Sequence, residues 1–332
     1  ALVVVVIVFG VIFPQLVDWD VVFEVLREVD AGELTLIVGL GLLRYVPAGW
    51  IYSIVLPGLS LRRGIRAWVA TTGVSSTLPG ADLALRIGMY SSWGFSIEQT
   101  TSGMFLSGVV EMSVSGLMAL TALTVYALIA ADVGALLVAA IAGLVVVLIA
   151  GAIGMAVRSE DLARRFGAKL EPVVRWIFDK FKREAPDDVV DRVLAVRLDT
   201  RTVLGSRWPQ AFLAAISSQA LSVILLFVSL RAVGVDASIL SWSDVLIGYG
   251  AVLVVTTIPI TPGNVGISEL AYVGFFTALA GREHSELITA GVILYRLALW
   301  LLPIIVGWIV TLRWQATEGR SLFSRADSGR SR

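Results

Sequence analysis

The chain has 332 residues, of which 57% are hydrophobic and 16% charged, and its 26 Lys and Arg are balanced by 26 Asp and Glu. With a mean hydropathy of +0.85 it carries more apolar surface than a soluble core of this length can hide, so the bilayer must be its solvent. The lack of cysteine excludes disulfides, thiolate metal sites and cysteine nucleophiles. A nucleic-acid partner has no support, because the basic loop 158–208 intersperses nine acids among its twelve Lys and Arg.

Apolar stretches long enough to cross about 30 Å of hydrocarbon lie at 1–17, 34–56, 103–130, 133–157, 209–233 and 287–312. The fold class expected is an all-α polytopic membrane protein with six spanning helices. The first stretch starts at Ala1 with no Met and no basic leader, which suggests a trimmed start rather than a signal peptide. Two further apolar regions, 67–95 and 244–280, are interrupted at their centres by Leu78-Pro79-Gly80 and by Pro259-Ile260-Thr261-Pro262-Gly263-Asn264. Each would give two half-length helices of about 13 to 18 residues, lengths that suit re-entrant hairpins better than full spans.

Lys and Arg near span ends set orientation. The loop 158–208, the turn Arg62-Arg63-Gly64-Ile65-Arg66 and the tail with Arg313, Arg320 and Arg325 are expected on the cytoplasmic side of a cell membrane. The acidic segment 18–33 and Val235-Asp236 are expected outside. Threading works only if both hairpins return to the side they entered from, which turns the halves upside down relative to each other, as in the inverted repeats of secondary transporters. The organisation expected is a first span and acidic loop at 1–33, a first repeat at 34–157, an amphipathic cytoplasmic loop at 158–208, a second repeat at 209–315 and a disordered tail at 316–332. His284 lies in a polar stretch and reads as a surface residue, and the tryptophans at span ends read as an interfacial belt.

Aligning the two breaks brings out four charges. Arg86 follows Pro79 by seven residues and Glu269 follows Pro262 by seven; in the next spans stand Glu111 and Arg296. The signs are swapped between halves at both positions. Ions in mid-bilayer cost at least about 2.5–3.5 kcal/mol each, so they face the bundle interior and find partners; by inversion all four are expected to converge near the midplane, with Arg44 as a fifth. The bland alternative is that these are ion pairs that only fix how hairpins dock. The half-helices after Pro79-Gly80 and Pro262-Gly263 would aim their N–H groups at the same region. There Gly80, Gly263 and Gly266 permit close approach, and Asn264 and Ser268 supply polar partners. Asp82 reads as a first-turn acid.

At these residues the sequence resembles the lysylphosphatidylglycerol synthase transmembrane family, related to the flippase half of the bacterial multiple peptide resistance factor. The match lies in Pro262-Gly263-Asn264-Val265-Gly266-Ile267-Ser268-Glu269 followed by Tyr295-Arg296-Leu297. It is supported by Leu78-Pro79-Gly80 with Arg86 and Glu111, and covers about residues 34–312. Asn264 stands where the family often has another glycine. The soluble aminoacyl-transferase domain of full-length synthases is not expected after residue 312, so the resemblance implies lipid translocation and gives no support for lipid aminoacylation.

The expected function is movement of an anionic or phosphate-bearing lipid between leaflets. Arg86, Arg296 and Arg44 would take the phosphate, and Glu111 and Glu269 would pair with them when the site is empty. A small-solute or proton-coupled transporter and a lipid-presenting module of a membrane enzyme are the alternatives. No catalytic residue, cofactor or metal is expected, since no ligand cluster or nucleophile–base pair is present in the sequence. The partner expected is a membrane lipid, with room left for a homo-oligomer and for a separate lipid-modifying enzyme.

Overall fold

The computed structural model describes residues 19–78, 80–131, 207–256 and 264–319, with a few positions between 159 and 194. The apolar stretches 1–17 and 133–157, most of the loop 158–208, the break residues Pro79, Pro262 and Gly263, and the tail beyond 319 lie outside the described residues.

Among the described residues every regular element is helical. In chain order these are α1 (Trp19–Glu28), α2 (Ala31–Leu43), α3 (Tyr45–Val55), α4 (Leu61–Thr77), α5 (Ala81–Ser92) and α6 (Ile97–Ile129). They continue with α7 (Trp208–Ala232), α8 (Trp242–Val255), α9 (Ile267–Ala280), α10 (Ser285–Arg296) and α11 (Leu302–Trp314). Four candidate spans stand out by length and apolarity: Ala31–Val55, Ile97–Ile129, Trp208–Ala232 and Arg282–Glu318. They coincide with four of the six stretches read from the sequence. The helices α4, α5, α8 and α9, with 17, 12, 14 and 14 residues, fall short of the roughly 20 residues that cross a bilayer.

Local chemistry sets the helix ends. Reciprocal capping boxes open three helices: Asp30 with Glu33 at α2, Ser96 with Gln99 at α6 and Ser241 with Asp244 at α8. Each satisfies two backbone donors that the first turn leaves free. The first span bends at Arg44, between α2 and α3, because Pro47 lacks an N–H and its ring crowds the carbonyl four residues back. The last span behaves alike: Leu297–Leu301 widens into a π-turn just ahead of Pro303. The helix continues as a second π-turn over Gln315–Gly319, so residues 316–319, expected in the disordered tail, are ordered by what they touch, as described below.

Glycines set how closely the helices approach. A Cβ on Gly64 would stand 2.3 Å from the Gly49 carbonyl, and one on Gly73 2.3 Å from the Pro303 carbonyl, so α4 is clamped backbone-to-backbone between α3 and α11. On the other side α8 lies on α6, where a Cβ on Gly250 would meet that of Ala122 at 2.2 Å. In a bilayer, where burial of apolar surface gives helices no reason to associate, such close crossings supply the packing energy instead. Two apolar clusters result. One gathers α2, α7, α8, α9 and α10 around Ile37, Leu226, Phe276 and Tyr295, and the other gathers α3, α4, α6 and α7 around Ile51, Val69, Val110 and Ala214. Helix α7 contributes to both. On α6, Phe105, Met112 and Leu128 are left exposed, the surface a lipid-facing helix presents.

Candidate functional site

The second-half charges form a closed unit. Glu269, at the third position of α9, accepts hydrogen bonds on one carboxylate oxygen from the Gly266 N–H at 2.8 Å and the Ser268 hydroxyl at 3.0 Å. Its other oxygen accepts from Arg296 Nε at 2.7 Å. The two side chains are only 6% and 12% exposed, so this is a buried ion pair that also caps its helix. Around it the described residues of the break bond one another in part, although the Asn264 side-chain oxygen finds no partner among them. Asn264 donates its side-chain amide to the Thr256 carbonyl at the end of α8, at 3.1 Å, and its own carbonyl accepts from Ser268 at 2.9 Å. Gly266 has φ +86° and Asn264 φ +54°. Asn tolerates this left-handed conformation better than any other residue except glycine, and so stands in for one here.

The first-half charges form an open unit. Gly80 starts α5 at φ +82°, with no side-chain cap on the helix and nothing near its missing Cβ. Six residues on, Arg86 is buried. Its guanidinium lies over the face of Tyr52 on α3, 4.6 Å from the ring centroid, and donates to the Thr71 hydroxyl on α4 at a long 3.3 Å. Its Nε–H has no hydrogen-bond partner among the described residues. Glu111 on α6 lies in the fields of Arg86 and Arg44, yet among the described residues it forms no direct ion pair with either. Asp82, in the first turn of α5, adds a second negative charge in the field of Arg86.

Arg44 joins the halves. From the bend in the first span its Nε donates to Ser222 on α7 at 2.7 Å, and its guanidinium lies 5.3 Å from the Trp68 ring centroid on α4. Its charge acts on Glu111 in the first half and on Tyr249 and Tyr295 in the second. Beside it a polar string crosses three helices: Gln219 on α7 donates to Ser115 on α6 at 2.8 Å and accepts from the Tyr249 hydroxyl on α8.

Of the four charges expected to converge, Glu269 binds Arg296 directly within the second half, and Arg86 and Glu111 act on each other in the first half without a direct ion pair. The sequence reading missed Thr71, Tyr52, Ser222 and Gln219. Only Tyr52 carries a signal, lying eight residues, about two turns, after Arg44 on one face of the span. Pro79, Pro262 and Gly263 lie outside the described residues, whereas Gly80, Asn264, Gly266 and Ser268 border the breaks as expected.

The arrangement can hold an anion in the first half. A desolvated guanidinium with an unused donor offers charge-assisted hydrogen bonds to carboxylate or phosphate oxygens. In the second half the Arg296 Nε–H is already committed to Glu269. No curated protein matches the chain. Residues 1–307 match the family model described as the lysylphosphatidylglycerol synthase TM region, and the chain belongs to that family.

Proposed function

We propose that this protein is a flippase-like transporter of the cell membrane that moves a lipid with a phosphate-bearing headgroup between leaflets. Membership of a family described by a membrane lipid points to a lipid-related function. In this reading α4–α5 and α8–α9 are re-entrant hairpins, the stretches 1–17 and 133–157 complete six spans, and the loop 158–208 and the C-terminus are cytoplasmic. The packing supports the inverted repeat. Hairpin helix α4 lies against α11, in the span that follows the second hairpin, and hairpin helix α8 lies against α6, the span that follows the first. Each half thus grips the other's hairpin in the same way.

The observation that carries the proposal is Arg86, a buried guanidinium with an orphaned Nε–H and no direct carboxylate partner among the described residues. Burying a cation this way is costly unless something uses it. A lipid phosphate entering beside Tyr52 and Thr71 supplies the missing acceptor while the acyl chains stay in the bilayer. Glu111 and Arg44 then act as the charges among which the headgroup is exchanged. Arg296, held by Glu269, fixes the second hairpin in place and takes no part in binding.

The test is a leaflet-exchange assay on purified protein in liposomes with fluorescent phosphatidylglycerol. The wild type is expected to exceed empty liposomes, and Arg86→Gln to lose that excess while its helicity and melting temperature stay near wild type. No movement of any phosphate-bearing lipid above empty liposomes sinks the proposal. A proton-coupled small-solute transporter is a second reading, favoured by Glu111, a partly buried carboxylate without an ion-pair partner among the described residues. It requires uptake of a water-soluble substrate driven by a pH gradient and insensitive to lipid composition.

A further inference from the structure

The C-terminal π-turn is not a passive end. Glu318 bonds Arg66 at the base of α4, Nη2 to Oε1, at 3.0 Å. Its other oxygen accepts from the indole N–H of Trp93, just after α5. Arg63 and Arg66 both lie over the Trp93 ring, their guanidinium carbons 5.5 and 5.8 Å from its centroid. Next to this cluster the Trp314 indole donates to Ser92 at 3.0 Å, and its ring fills the space beside Gly88. One carboxylate is therefore held by an arginine and an indole donor, with a second arginine, Arg63, over the same indole ring.

We infer that Arg63, Arg66 and Trp93 form a surface anion site for the phosphate of a lipid headgroup, and that Glu318 occupies it as a built-in competitor. The donors are all of the kind that recognises paired anionic oxygens: guanidinium forks and an N–H set in one place by cation–π stacking. Glu318 presents two oxygens to them, as a phosphodiester would. The site is accessible, with the Arg66 and Glu318 side chains 30% and 33% exposed, so the carboxylate can leave without unfolding the protein. Arg66 and Thr71, to which Arg86 donates, stand on the same helix, five residues apart, a rise of about 7.5 Å.

This inference rests on the lipid reading only for the identity of the anion. Its test is binding rather than transport: native mass spectrometry of the purified full chain in mixed micelles with phosphatidylglycerol, with inorganic phosphate as a second arm. A competitor that fills the site most of the time lowers apparent affinity by the fraction of time the site is free. Glu318→Gln is therefore expected to tighten phosphatidylglycerol binding about five- to tenfold, with Glu318→Ala giving the same direction, and adding Arg66→Gln is expected to abolish the gain. Inorganic phosphate that leaves the gain intact assigns the site to a lipid headgroup, whereas competition at equal strength assigns it to free phosphate and overturns the lipid assignment. No gain in either Glu318 variant, or a gain that survives Arg66→Gln, overturns the site. Because Arg86→Gln leaves these residues untouched, the gain is expected to persist in that background. Loss of leaflet exchange with surface binding retained would thus separate failure of the transport reading from failure of this one.

Discussion

Substituting Glu269 by Gln and, separately, Glu111 by Gln tests the division of labour between the two charge pairs. Glu269 accepts three hydrogen bonds, one of them from a guanidinium only 12% exposed. Breaking a buried pair by neutralising one partner costs about 3–5 kcal/mol. The amide keeps one acceptor oxygen, recovering about 1 kcal/mol, so Glu269→Gln is expected to lose about 2–4 kcal/mol. Glu111 has no direct ion pair to lose among the described residues, so Glu111→Gln forfeits only longer-range attraction and is expected to cost less than about 1 kcal/mol. Unfolding in mixed micelles by increasing SDS, followed by circular dichroism, measures both. Leaflet exchange is expected to rank the other way per folded molecule, with Glu111→Gln the more damaging. Equal destabilisation by the two substitutions, or a Glu269→Gln protein of wild-type stability that cannot move lipid, would refute the assignment of one pair to structure and the other to function.

Three further outcomes follow from local geometry. Gly307→Ala places a Cβ 2.4 Å from the Val69 carbonyl and 2.9 Å from the Gly73 Cα; with backbone on every side nothing can yield cheaply, and a loss of about 1–3 kcal/mol is expected in the same SDS titration. Gly116→Ala meets nothing within 4 Å and serves as the neutral comparison, within about 0.5 kcal/mol of wild type. In the turn after α7, the Ser238 hydroxyl and backbone N–H and the Ile239 N–H hold the Asp236 carboxyl below the usual range. A depressed carboxylate pKa gives order that is complete above the unfolded value of about 3.9 and is lost as pH falls through the lower folded one. Amide exchange at Ser238 and Ile239 is expected to lose its protection through that acid window in the wild type, and to show no such titration in Asp236→Asn.

The breaks and their charges were legible because each rests on a residue type with a single physical consequence. Pro79 and Pro262 cannot continue a hydrogen-bonded helix, and long apolar runs split by them leave half-length pieces. Arg and Glu in apolar segments are conspicuous for the same kind of reason. The pairing was not legible. A seven-residue offset gives a position along a helix but not which neighbouring span it faces, so the direct bond of Glu269 to Arg296 rather than to the first-half arginine could not be read from it. Thr71, Tyr52 and Ser222 are residue types that membrane helices use everywhere, so nothing in the chain marks them before the helices are packed. The ordering of residues 316–319 was hidden for a related reason: a Gly- and Arg-rich tail looks solvated until Glu318 is seen against Arg66 and Trp93.

The inequality of the two halves follows from the sign swap and from where each helix restarts. Helix α9 begins five residues after Pro262 and α5 two residues after Pro79, so the common seven-residue offset puts Glu269 at the third helical position and Arg86 at the sixth. A carboxylate at the third position can turn back and accept the backbone donors of its own helix start, as Glu269 does with Gly266. A guanidinium has only donors and can satisfy none of them from any position. The third position of α5 is Leu83, which cannot help. In the first half no single carboxylate serves both the helix start and the arginine among the described residues, and Glu111, standing off on α6, forms no ion pair with Arg86. In the second half one carboxylate meets both needs. With the signs exchanged, one carboxylate serves both the helix start and the arginine in the second half, whereas the buried arginine of the first half keeps an uncommitted donor among the described residues.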